Sequence, residues 1–151
     1  MMLLCNMRYI LEDPNMLSSR QIAICALLAL AFWAVAALAI HAWPASFTDP
    51  VGGTAGFALS LPVGWLCVRL TRRCAKLSAA QLPAACLVVL AVAASVDGVA
   101  LRYVPTVYSA DDQTCRMAAA LLLWGYGASA FAALVMARRG AEAGLAGAAQ
   151  N

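Results

Sequence analysis

The sequence predicts an all-α integral membrane protein, a four-helix bundle with both termini in the cytoplasm. Three observations carry that reading. Apolar residues make up 64% of the 151 and charged residues 11%, against about 45–50% and about 25% in an ordinary soluble domain. Mean hydropathy is +0.82. The apolar residues gather into four runs, each near the ~20 residues a spanning helix needs. A soluble domain of this length could not hide so much apolar surface beneath a polar exterior. The composition also excludes a disordered chain and a disulfide-stapled secreted domain. A net charge of +3, with no run of like charge, leaves no nucleic-acid partner in view.

Residues 1–21 read as a cytoplasmic arm. Its first fifteen residues hold Glu12, Asp13 and Pro14 without an apolar period, and Met16-Leu-Ser-Ser-Arg20 is the more natural bacterial start. Residues 1–15 therefore read as a mis-called extension. A single transmembrane domain follows over 22–137, with spans at about 22–43, 52–70, 79–101 and 117–137. The first span has an apolar stretch of about 19 residues, too long for a signal peptide's 7–15, and His41, Trp43 and Pro44 make a poor cleavage site. Pro83 falls in the first turn of the third span, where its missing N–H costs nothing. Pro62, mid-span, is expected to kink the second helix. The tail, 138–151, is small and polar and is expected to fray. No run alternates with period two, which excludes a β-barrel.

Orientation follows from Arg and Lys counted by side. Arg8, Arg20, Arg69, Arg72, Arg73, Lys76, Arg138 and Arg139 fall on one face. Arg102 and Arg116 fall on the other, offset by Asp49, Asp111 and Asp112. The positive-inside rule places the first face in the cytoplasm. Alanine supplies 35 residues, and Arg outnumbers Lys nine to one, the bias of a GC-rich bacterial genome. A multi-pass protein of the bacterial inner membrane is the resulting expectation.

The two halves share a pattern. Pro44, Phe47 and Asp49 follow the first span; Pro105, Tyr108 and Asp111 follow the third; the halves end in Arg72-Arg73 and Arg138-Arg139. Duplication would make them parallel repeats about an axis along the membrane normal, although Pro, aromatics and acids are common in interfacial loops.

Small residues recur every fourth position at Gly52, Gly56, Ser60 and Gly64, and again at Gly125, Ser129, Ala133 and Ala137. Each set lies on one helix face and allows close backbone approach, within the bundle or at a dimer seam. Asp97 is the sole acid within a span. It sits about 28 Å along its helix, a depth that His41 shares, so a pair between them is allowed. Asp97, His41 and Arg102 are the candidate polar residues, either locking the outer helix ends or marking an ion path. Six cysteines show no CxxC, and a single His leaves no metal-ligand cluster. No phosphate loop, HExxH or Ser-His-Asp set is present. No cofactor, metal or catalytic residue is expected.

The stretch Ser95-Val-Asp97-Gly-Val-Ala-Leu-Arg-Tyr-Val-Pro105-Thr-Val-Tyr108, followed by Leu122-Leu-Trp124-Gly-Tyr126-Gly127, resembles a family of small bacterial four-span membrane proteins classified only as a domain of unknown function. The likeness covers the second half well and the first loosely. It implies the same architecture and brings no activity, cofactor or catalytic residue. Small multidrug exporters are a poorer match, since they depend on an acid in the first span.

The expected function is that of a non-enzymatic structural, accessory or partner-binding subunit. The alternative is a small dimeric transporter or channel, with Asp97 and His41 near its outer mouth. Expected partners are the lipid bilayer and either a second copy or another membrane protein.

Overall fold

The computed structural model describes residues 16–148; the supposed extension at 1–15 and residues 149–151 lie outside the described residues. Helix α1 covers Ser19–Ala42, α2 Ala45–Thr48, α3 Pro50–Cys74, α4 Leu82–Tyr103 and α5 Asp112–Ala148, with a 3-10 turn at Pro105–Val107 before α5. Among the described residues there is no strand. α1, α3, α4 and Asp112–Ala143 of α5 are each long and apolar enough to cross a membrane.

The helix ends are set by local chemistry. Ser18 Oγ accepts the Gln21 N–H at 3.3 Å and Gln21 Oε1 accepts the Ser18 N–H at 2.9 Å, a capping box that starts α1. Ser78 and Gln81 repeat this pair of bonds at 3.3 and 3.1 Å in the turn ahead of α4, which begins at Leu82, three residues later than the expected 79. α3 ends in a Schellman motif: Leu77 N–H reaches Arg72 O at 2.9 Å and Lys76 N–H reaches Arg73 O at 3.3 Å. Lys76 takes the left-handed position there, with φ 50°. α5 continues through Arg138 and Arg139 to Ala148, where a frayed tail was expected. Falling hydropathy ends a membrane span, but Ala141, Glu142 and Ala143 are strong helix formers.

The two halves turn by the same device. Trp43 and Val104 cap α1 and α4 with nearly equal dihedrals, φ −132° ψ 55° and φ −141° ψ 53°. Each precedes a proline, which keeps it out of the helical region. Pro44 and Pro105 then open short helical turns. Asp49 caps α3 by accepting the Gly52 N–H at 2.7 Å, and Asp111 accepts the Thr114 N–H at 2.7 Å at the start of α5. Both capping boxes, pre-proline caps and Asp caps therefore recur in the same order in each half.

In the bundle α1 packs along α4, α4 along α5 and α5 along α3, while α1 and α3 touch only slightly. Gly64 marks the close crossing of α3 and α5: a methyl group added there would lie 2.8 Å from Ser129 Oγ and 3.3 Å from its backbone nitrogen. The Gly64 and Ser129 steps of the two small-residue ladders thus face each other within one chain. Gly125 departs from that pattern, since nothing lies within 4 Å of a methyl group added to it. Near Pro62, the Phe57 carbonyl accepts from Ser60 Oγ at 2.6 Å and from Trp124 Nε1 at 3.0 Å, a second tie between α3 and α5.

Two buried clusters result. Cys25, Val68, Leu82, Ala85 and Ala133 belong to one, near the basic helix ends. Ala37, Ile40, Ala100, Tyr108 and Ala118 form the other, beneath the proline turns.

Candidate functional site

Asp97 lies six residues before the end of α4 and is 5% exposed. An ionised carboxylate at such a site is costly unless hydrogen-bonded. Tyr108, fully buried in the connection before α5, donates its hydroxyl to Asp97 Oδ1. Tyr126 of α5 donates to Oδ2. Trp33 of α1 donates its indole N–H to Tyr108 Oη at 2.8 Å. Four side chains from α1, α4, α5 and the connection between the last two thus form one continuous network.

The local fold explains the convergence. The pre-proline cap at Val104 turns the chain back on itself, and the 3-10 turn drives Tyr108 inward against Ala37, Ile40 and Ala118. Side chains on a helix lean toward its N-terminus, which carries Tyr126 back along α5 toward Asp97. Burial, and then the hydrogen bond given to Asp97, push the Tyr108 phenol above its ordinary pKa. The phenol therefore stays a donor throughout the physiological range.

The expected pairing of Asp97 with His41 or Arg102 is not what the fold builds. His41 is exposed at the last turn of α1, whose inward face there is Ala37 and Ile40. Equal depth along two helices does not fix rotation about either. Arg102 is also exposed, with its guanidinium 6.0 Å from the ring centre of neighbouring Tyr103. Sequence reasoning singled out the acid and missed its phenol partners. Both tyrosines stand in the two stretches that carry the family resemblance, Asp97 to Tyr108 and Trp124 to Gly127. That proximity was the signal, but only the turn geometry shows that they meet.

Beside this network lies an apolar cavity of about 340 Å³, walled by all four long helices. It borders both buried clusters and runs from Gly56 to Thr71 along α3, with Trp33 and Tyr126 in its wall. The halves differ here in an instructive way. Asp97 stands seven residues before the pre-proline cap Val104, and Ala36 stands seven before Trp43. Tyr126 stands fifteen after the capping Asp111, and Gly64 stands fifteen after Asp49. The second half therefore closes α4 onto α5 with an Asp–Tyr bond, where the first half has only Ala36 and Gly64. Both of those residues line the cavity.

No family model, curated protein or solved structure matches the chain.

Proposed function

We propose that this chain is a multi-pass protein of the bacterial inner membrane, with both termini in the cytoplasm, serving as a non-enzymatic structural, accessory or partner-binding subunit. The observation that carries this reading is the state of Asp97. Both of its oxygens are taken by tyrosine hydroxyls, so the one buried carboxylate among the described spans acts as a clasp between helices. Buried polar networks whose members are all hydrogen-bonded rigidify a core and specify one packing. The excess of basic residues around the α3–α4 connection and the end of the fourth span supports the orientation. The likeness to small four-span bacterial membrane proteins belongs to the same proposal.

A second reading, a small dimeric transporter, draws on the cavity bordered by all four long helices. The exposure of His41, away from Asp97, weakens its supposed outer mouth. Proton flux separates the two readings. Vesicles holding the protein and an internal pH-sensitive dye should leak protons no faster than protein-free vesicles, and Asp97→Asn should change nothing. A wild-type proton conductance that Asp97→Asn abolishes, with the fold intact, would establish the transporter instead.

A further inference from the structure

We propose that the cavity is a binding site for one hydrocarbon chain of a bilayer phospholipid, which enters sideways through the gap between α1 and α3. The proposal rests on the membrane insertion proposed above.

Close packing leaves few voids in a protein interior, yet here a space within the ~300–1,000 Å³ of small-molecule sites borders both buried clusters. An apolar space of this kind excludes water. In a bilayer the medium at its mouth is hydrocarbon. That mouth lies where α1 and α3 touch only slightly, with Leu59 and Val63 of α3 both lining the cavity and facing outward, 62% and 47% exposed.

The wall also offers nothing to a charged occupant. Seven side chains with a polar atom line it, and five of them already have a partner within the protein. Trp33 donates to Tyr108 and Tyr126 to Asp97. Ser60 donates to Phe57 O and Thr71 to Cys67 O within their own helix, and the Cys86 thiol reaches Ser129 O. What remains is the Ser129 hydroxyl and the Cys67 thiol in a wall otherwise of carbon, with no charged side chain, so a charged head group finds no counter-charge and stays outside. From Gly56 to Thr71 the slot follows fifteen residues of helix, about 22 Å. That exceeds half of the ~30 Å hydrocarbon thickness, which suits a long, extended chain.

The test uses the full chain in phosphatidylcholine vesicles doped with a phosphatidylcholine whose acyl chain carries a diazirine. After illumination, adducts are mapped by peptide mass spectrometry. Adducts are expected on the inward residues Leu90 and Leu122, as well as on the outward residues Leu87 and Leu123. Ala36→Phe, which fills the slot, should remove the first pair and leave the second. Ser60→Leu provides the same test if Ala36→Phe does not fold. Adducts on Leu87 and Leu123 alone, or a Leu90 and Leu122 signal indifferent to both substitutions, overturn the proposal. Absence of adducts at all four positions overturns the membrane insertion on which it rests.

Discussion

Tyr108 and Asp97 stand eleven residues apart, and the hydroxyl of one closes on the carboxylate of the other inside the bundle. That contact joins the proline turn to α4, and the Trp33 indole extends it to α1. The unequal demands on the two phenols give the first prediction. Tyr108→Phe strands both an Asp97 oxygen and the Trp33 N–H, whereas Tyr126→Phe strands an Asp97 oxygen alone. Each buried group left without its partner costs about 1–3 kcal/mol. Thermal unfolding in a mild detergent should therefore rank wild type above Tyr126→Phe and Tyr126→Phe above Tyr108→Phe. Asp97→Leu should fall below wild type as well, since it leaves both phenols unpaired. Equal midpoints for the two Phe variants would remove the Trp33 link from the argument.

The second prediction concerns pH. The Tyr108 phenol is raised above its ordinary value of 10 by burial and by its bond to Asp97. The unfolded chain ionises there first, so this contribution to stability is complete below about pH 10 and declines as pH rises toward the folded-state value. Wild-type stability should drop more steeply with alkali than that of Tyr108→Phe. Asp111 behaves in the opposite sense. The Thr114 hydroxyl, and then the Thr114 N–H, hold its carboxyl below the ordinary 3.8, so its contribution is present above that value and lost as pH falls through the lowered one. Asp111→Asn should flatten the acid limb of the same stability curve.

The third prediction separates two glycines of the ladders. Gly64→Ala forces a methyl group into Ser129, and overpacking of this kind costs about 1–3 kcal/mol. Gly125→Ala meets nothing and gains up to about 1 kcal/mol of helix propensity. Urea or thermal melts should move in opposite directions for the two variants. Two equal losses would mean that Gly125, which lines the cavity, also meets a neighbour, as it would with an acyl chain in place.

The fourth prediction concerns topology. Reporter fusions after Arg73 and Arg139 should read cytoplasmic, and fusions near Asp49 and Asp111 external. A periplasmic C-terminus would overturn the four-span arrangement proposed for the membrane.

Much of the architecture is legible in the sequence because hydropathy and capping act over short distances. Four apolar runs, Pro83 in a first turn and the Pro–aromatic–acid turns can all be read from residues a few positions apart. The continuation of α5 past Arg139 was obscured because a drop in hydropathy marks the end of a membrane span, whereas alanine-rich sequence continues a helix without it.

The site depended on contacts that local pattern cannot supply. The sequence by itself marked Asp97 as an unusual residue, because a carboxylate in an apolar run must find partners. Which partners it found was decided by helix rotation and by the inward turn at Pro105, and these placed Tyr108 and Tyr126 on it while leaving His41 outside. The cavity was likewise decided by tertiary structure. Ala36 and Gly64 are unremarkable in an Ala- and Gly-rich chain, and they acquire meaning only when the packed helices set both in the cavity wall. An empty space has no residue of its own, so it becomes visible only when the helices around it are in place.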